Sequence, residues 1–270
     1  MDLSKLGVYH KMTNDKLRPI AEGGEFEAIY ELATRYTEGL RGTEQDWKEA
    51  AIWLRKGAEM GDDYCQHWLG NLYAAGEGVP LDKAEAAKWW RMAADQDEQW
   101  SQCYLGELYL KGDGVPQDKA EAFRLFRAAT SDDAWIAYFN LGLCYFNGDG
   151  VEKDEAEGVM WIQEGAWGGE EKAMDWLEEK AEMGYEPAKK ALEEIEDEDF
   201  YSKRVDFRRY QEEAEEGDSD AQYNLGLCYL NGDGATQDRA KAVRWLQKAA
   251  EQGNEDAKAA LAELEKEKEQ

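Results

Sequence analysis

The sequence predicts an all-α chain, a solenoid of about six stacked helix-pair repeats with half-repeats closing both ends. Three observations carry this expectation. One stretch recurs almost unchanged, as YLGELYLKGDGVPQD at 104–118, FNLGLCYFNGDGVEKD at 139–154 and YNLGLCYLNGDGATQD at 223–238, with HWLGNLYAAGEGVPLD at 67–82 as a fourth copy. Its leucine falls at Leu69, Leu105, Leu141 and Leu177, each 36 residues apart, with Leu32 37 residues before the series and Leu225 48 residues after it. A fixed period of this size is the mark of stacked repeats. Four prolines in 270 residues, with few β-branched residues, favour helix throughout.

The first helix of each unit carries a small residue, an apolar one and usually a tyrosine at spacing four. The series is Ala28/Leu32/Tyr36, Cys65/Leu69/Tyr73, Ser101/Leu105/Tyr109, Ala137/Leu141/Tyr145, Ala173/Leu177/Ala181 and Ala221/Leu225/Tyr229. Residues four apart share one helical face, so each triplet predicts a buried stripe. Three residues on comes Gly39, Gly76, Gly112, Gly148, Gly184 or Gly232, each a candidate left-handed cap for the helix before it.

The second helix opens after an aspartate, Asp82, Asp118, Asp154 or Asp238, whose side chain can satisfy free backbone N–H groups. Paired large residues follow, such as Trp53/Leu54, Trp89/Trp90 and Trp245/Leu246, and then small ones, such as Ala93/Ala94 and Ala249/Ala250. Neither helix can bury its stripe alone, so stacking is obligatory.

These patterns divide the chain into an N-terminal capping segment (1–24), repeats at 25–61, 62–97, 98–133, 134–169, 170–217 and 218–253, and a C-terminal capping helix (254–270). The fifth repeat deviates. It lacks the glycine loop, an acidic insertion containing EEIEDED (193–199) accounts for its extra length, and helix is expected to resume near Ser202.

A net charge of −28 makes nucleic-acid phosphates and anionic lipid poor partners and favours encounter with basic proteins. With 34% charged residues and a mean hydropathy of −0.81, the chain reads as soluble. Residues 1–12 lack the apolar run of a secretory leader, and no stretch approaches a membrane span, so a cytoplasmic location is expected. Cys65, Cys103, Cys144 and Cys228 fall in the first helices of their repeats and read as small packing residues rather than a disulfide frame or metal cage.

Chemistry is hard to find. His10 and His67 are the two histidines, and His67 occupies a position held by Tyr30, Phe139 and Tyr223 in other copies, which points to packing. No HExxH or CxxC spacing occurs, and the GDG loops lack the Lys-Ser/Thr of a phosphate loop and the ligand alternation of a calcium loop. No catalytic residue, metal or cofactor is expected.

The recurring residues resemble the Sel-one-like repeat family, whose pattern is A-x3-LG-x2-Y-x2-G-x-GV-x2-D followed by KA-x2-W-x3-AA-x2-G. The second, third, fourth and sixth repeats match it densely, the first with a one-residue loop insertion and the fifth only in its helices, over about residues 25–260. The resemblance implies a right-handed superhelix with first helices lining a concave face, and an adaptor, scaffold or inhibitory role without common catalytic residues.

Departures from the pattern suggest where a partner binds. Beside the core stripe runs a second one, Tyr64/Trp68/Leu72 in repeat two, Trp100/Tyr104/Leu108 in repeat three, Ile136/Asn140/Cys144 in repeat four, Lys172/Trp176/Lys180 in repeat five and Asp220/Asn224/Cys228 in repeat six. In repeat one it reads Glu27/Glu31/Arg35. The family usually has asparagine before the leucine, as at Asn140 and Asn224; Trp68, Tyr104 and Trp176 put large aromatics there. Aromatics with a polar handle are the usual anchors of binding hot spots. The candidate partner-binding residues are therefore Tyr64, Trp68, Trp100, Tyr104, Asn140, Trp176 and Asn224; the alternative is that these rings pack between adjacent first helices. Two roles follow, an adaptor holding a protein or peptide, or an acidic immunity protein that neutralises a basic toxin enzyme. A monomer is expected in either case.

Overall fold

The computed structural model describes residues 3–130, 134–195, 198–235 and 237–268, which form sixteen α-helices and no strand among the described residues. The chain divides into two compact units, one of residues 1–144 and 148–153, the other of residues 145–147 and 154–270.

The first unit holds α1 (Leu3–Tyr9), α2 (Asn14–Glu22), α3 (Phe26–Glu38), α4 (Trp47–Glu59), α5 (Asp63–Ala75), α6 (Lys83–Ala94), α7 (Gln99–Lys111), α8 (Lys119–Ala128) and most of α9 (Trp135–Asn147). Helices α3, α5 and α7 are first helices, and each packs on the second helix after it, α4, α6 and α8. The predicted stripe is the core: Ala28, Leu32, Cys65, Leu69, Ser101, Leu105 and Ala137 are fully buried, and the tyrosines that follow are half-buried. The glycine after the leucine lets the partner helix close in. A Cβ at Gly70 would overlap the Trp90 indole, and one at Gly106 the Phe126 ring.

Capping follows the sequence closely. Gly39, Gly76, Gly112, Gly148 and Gly232 are left-handed, and each N–H bonds the carbonyl four residues back. Asp82, Asp118, Asp154 and Asp238 each accept a backbone N–H at the start of a second helix. Asp46 does the same for α4, and Asp62, Glu98 and Asp218 for the first helices α5 (Asp63–Ala75), α7 (Gln99–Lys111) and the later Ser219–Asn231.

What joins one repeat to the next is the glycine loop. Gly78 (φ +68°) lies so close to the start of α4 that a Cβ would overlap the Trp47 carbonyl; Gly114 and Gly150 stand in the same relation to Lys83 and Lys119. The aspartate between the two glycines adds an ion pair to the lysine that opens the preceding second helix, Asp113 to Lys83 and Asp149 to Lys119 at 2.7 Å. These loops are structural clamps. Arginines of α2, α4 and α6 make a further link: Arg18 bonds Tyr36 (3.1 Å) and Glu49 (2.9 Å), Arg55 bonds Tyr73, and Arg91 lies over the Tyr109 ring and pairs with Glu121 at 2.7 Å.

The second unit holds the end of α9, then α10 (Glu155–Trp167), α11 (Glu171–Glu182), α12 (Glu186–Ile195), α13 (Glu198–Glu215), α14 (Ser219–Asn231), α15 (Arg239–Glu251) and α16 (Glu255–Lys268). Here the structure corrects the sequence reading. Gly184 is left-handed (φ +86°), but α11 is capped one residue earlier by Met183 in the right-handed conformation. This is the ending of second helices, as at Met60–Gly61, and the turn leads straight into an additional helix, α12, instead of a long loop. The acidic stretch 193–199 is thus the end of α12 and the start of α13, with residues 196 and 197 outside the described residues, and helix resumes at Glu198 rather than near Ser202. Lys203 of α13 pairs with Asp233 at 3.5 Å. That is the clamp of the regular repeats, so α13 serves as the second helix against which the α14–α15 pair is set.

Candidate functional site, an aromatic row on the first helices

Along α3, α5 and α7 the rings form one continuous row. Centroid separations are 6.3 Å for Phe26–Tyr30, 5.0 Å for Tyr30–Tyr64 and 6.1 Å for Tyr64–Trp68. His67 continues the row, 6.0 Å from Trp68 and stacked on Tyr104 at 5.9 Å, and Tyr104 meets Trp90 at 5.2 Å and Trp100 at 6.3 Å. Helical spacing of four puts Tyr64 above Trp68 and Trp100 above Tyr104; the stacking of repeats brings the two pairs together. Tyr64, Trp68 and Tyr104 are half-buried, while Trp100 is 39% exposed. Packing between helices and presentation to solvent therefore coexist, with Trp100 the most open ring.

Of the other sequence candidates, Asn140 is on α9 in the first unit, 9% exposed, with its Nδ2 unpartnered among the described residues. Trp176 belongs to the second unit, where it stands edge-on to Phe146 at 4.9 Å with the Lys180 ammonium 5.6 Å from its centroid. Asn224 is half-buried on α14, also in the second unit. The structure thus gathers Tyr64, Trp68, Trp100 and Tyr104 into one row.

The row is electrostatically one-sided. Burial pushes the hydroxyls of Tyr30, Tyr64 and Tyr104 above the usual phenol range, and carboxylates add to the effect: Asp62 and Glu38 at Tyr30, Glu38 at Tyr64, Glu107 and Glu98 at Tyr104. Helices α5 and α9 contain no lysine or arginine, and α7 has only Lys111, held by Glu107 at 2.8 Å.

His67 does more than pack. Its Nδ1 lies 2.9 Å from both Glu98 and Ser101 Oγ, and its Nε2 accepts from the Asn71 amide at 2.9 Å. The Asn71 carbonyl oxygen accepts from the Trp90 indole N–H at 3.0 Å. Burial pushes the Glu98 carboxyl up, but the bonds from His67 and Ser101 outweigh it and hold it below the usual range. The network fixes the ring pair His67–Tyr104 in place. Its members lie in neighbouring repeats, and no local sequence signal joins them.

Repeat one shows the same face already covered. Glu27, Glu31 and Arg35, the residues of its second stripe, are 8%, 3% and 2% exposed because α1 lies against α3. Arg35 pairs with Glu31 at 2.7 Å and donates to the carbonyls of Tyr9 and Met12 and to the Asn14 side chain. His10 and Arg41 also approach Glu31, at 3.0 and 2.9 Å.

In the second unit, a cavity of about 390 Å³ lies between α10 and α12, floored by Val159, Met160, Pro187 and Ala191 and rimmed by Lys190 and Glu194. It depends on the additional helix and so has no counterpart in the sequence reading. Among the described residues no group of three or more His, Cys, Asp or Glu side chains could hold a metal ion, and no helix is long and apolar enough to cross a membrane. All four cysteines are free and buried.

Comparison with known proteins agrees with this architecture. The Sel1 repeat model matches residues 26–62, 63–98, 101–133, 135–166 and 219–254. Among solved structures, a protective antigen present in uropathogenic Escherichia coli strains, displaying an SLR fold, is 33% identical with a TM-score of 0.58; the match covers 92% of this chain and 50% of that one. The chain thus spans about half the length of that relative. A Sel1 repeat protein from Oxalobacter formigenes is 26% identical with a TM-score of 0.52, over 95% of this chain and 82% of the other. No curated protein matches significantly.

Proposed function

The chain belongs to the Sel1 repeat family, whose members are generally non-catalytic protein-interaction modules, and from that premise we propose that it is an adaptor or scaffold binding a protein or peptide across the first helices of its second and third repeats. The observation that carries the reading is the row Tyr64–Trp68–Tyr104–Trp100, whose last ring is 39% exposed although the Tyr104 ring packs one side of it. A partly packed aromatic is a preorganised anchor: it offers contact area with little rotamer freedom left to lose.

Affinity purification from native lysate, comparing wild type with Trp100→Ala and with Met183→Ala as an exposed control on α11's C-terminal side, tests this. Specific partners should be lost with the first change and kept with the second. Identical recovery with all three would return Trp100 to a packing role.

A second reading, an acidic immunity protein directed at a basic toxin enzyme, is favoured by the net charge of −28. It requires one dominant basic partner whose association rate falls steeply with ionic strength. A rate indifferent to salt would exclude it.

A further inference from the structure

Repeat one supplies a worked example of what the first-helix face accepts. Its second stripe, Glu27/Glu31/Arg35, is covered by α1, a short helix of the chain itself. Lys5 near the start of α1 pairs with Glu25 at the start of α3 (2.6 Å), and His10 just past its end pairs with Glu31 (3.0 Å), so the two helices run in the same direction. Tyr9 and Met12 turn inward and pack against the core of repeat one. Cationic and imidazole groups on the docked segment thus meet carboxylates of the solenoid, while Tyr9 and Met12 face the repeat.

The same stripe positions on α5 and α7 are Tyr64/Trp68/Leu72 and Trp100/Tyr104/Leu108, and they continue directly from Tyr30 of α3 through the 5.0 Å Tyr30–Tyr64 contact. There rings stand in place of the two glutamates, and a buried leucine, Leu72 or Leu108, in place of Arg35. The carboxylates of Asp62 and Glu38 act on Tyr30 and that of Glu38 on Tyr64, and α5 carries no lysine or arginine; beside Tyr104, Glu98 is already bonded to His67 and Glu107 to Lys111. A π-face flanked by carboxylates attracts a cation twice over, through the ring quadrupole and through charge. The half-buried rings of Tyr64, Trp68 and Tyr104 and the exposed ring of Trp100 suit the apolar face of a helix.

From this continuity and charge we infer that the row on α5 and α7 takes a short, cationic amphipathic helix of a partner protein, seated beside α1 as α1 is seated on α3. The inference rests on the adaptor reading for its location and adds the chemistry and conformation of the occupant.

The test uses the full chain and a fluorescein-labelled amphipathic Lys/Leu peptide of about 14 residues, long enough to be helical when bound. Two companions control for chemistry, one with glutamate in place of every lysine and one with two central prolines that break the helix while keeping the charge. Fluorescence anisotropy should give saturable binding of the Lys/Leu peptide alone, with affinity at least about tenfold weaker for the proline peptide and for Trp100→Ala. Trp100→Lys, which puts a repelling cation on the same exposed spot, should weaken it further, and Met183→Ala should change nothing. Equal binding by the Trp100 variants would reduce the interaction to diffuse attraction by an acidic surface, and equal binding of the proline peptide would mean an extended occupant; either overturns the inference. If lysate partners are lost with Trp100→Ala while the peptide ignores that face, the adaptor reading stands and the cationic helix falls. If neither depends on Trp100, both fall.

Discussion

The clamp between repeats makes a quantitative demand on Gly78. Its φ of +68° is left-handed, and a Cβ there would overlap the carbonyl and carbon of Trp47 and approach the Lys48 nitrogen, all backbone atoms that cannot rotate aside. Gly42, in the corresponding loop of repeat one, has φ +75° with nothing within 4 Å of its would-be Cβ. Replacing either by alanine incurs the left-handed penalty of about 1–2 kcal/mol. Either gains back about 0.4–1 kcal/mol from a stiffer unfolded chain. These two contributions nearly cancel in the comparison. What remains is the forced separation of loop and helix, which as overpacking costs about 1–3 kcal/mol. Gly42→Ala should therefore destabilise by about 0–1.5 kcal/mol and Gly78→Ala by about 1–3 kcal/mol more than that. Urea unfolding followed by far-UV circular dichroism measures the difference, and hydrogen exchange at the first amides of α4 shows whether the loss is centred on the clamp. Equal destabilisation by the two substitutions would refute the idea that the loop's close approach joins the repeats.

Other consequences are open to measurement. Arg35→Ala should cost about 3 kcal/mol, because it strips the main partner from buried Glu31 while His10 and Arg41 remain, and it should make α1 amides exchange fast; unchanged protection of α1 would show that the helix is held by other contacts. Burial pushes the thiols of Cys144 and Cys228 up to about 12 and about 11, with Asp149 and Asp233 adding to it, and that of Cys65 higher still, so all three stay protonated at neutral and mildly alkaline pH. Iodoacetamide at about pH 8 should leave these three unmodified in the native protein and label them after denaturation, and a native adduct on any of them, located by peptide mass spectrometry, would contradict this. The Glu121 carboxyl is held at about 2, chiefly by the Arg124 hydrogen bond, with Arg91 adding to it against partial burial. Its folded value lies below the unfolded one, so its contribution is complete above about pH 4.3 and is lost as the pH falls toward about 2. The stability gap between wild type and Glu121→Gln should close over that range, as acid titration of the two by circular dichroism would show; a gap independent of pH would mean the pairing adds nothing.

Much of the fold was legible because its rules are local. A leucine every 36 residues, a glycine past each first helix and an aspartate before each second helix are read one turn at a time, and Leu105, Gly112 and Asp118 do in the structure what their spacing suggests. Features that depend on partners far along the chain were not legible. Segment 3–9, with Gly7 inside it and one exposed valine, is held in its place against α3 partly by a buried arginine more than twenty residues away. Helix α12 buries only the small residues Ala188 and Ala191, too little apolar signal to stand out from an acidic insertion. Yet AEMG at 181–184 repeats AEMG at 58–61, and that echo is the one local sign that α11 ends as a second helix does. Of the candidate site, the rings were visible as departures from the repeat, but His67 was not, since its bonds to Glu98 and Ser101 cross from one repeat to the next.

The lysine–aspartate clamp also bears on how such a chain can change length. Lys83 and Asp113, Lys119 and Asp149, and Lys203 and Asp233 are each 30 residues apart, so these three junctions are written in the same code. Removing one 36-residue period after Lys83 would deliver Asp149 to the place Asp113 now holds, with the glycines around it intact. Copy number can then drift by unequal crossing-over without inventing a new junction, and loss of the 36 residues after Lys83, which include α7, would shorten the aromatic row by one helix.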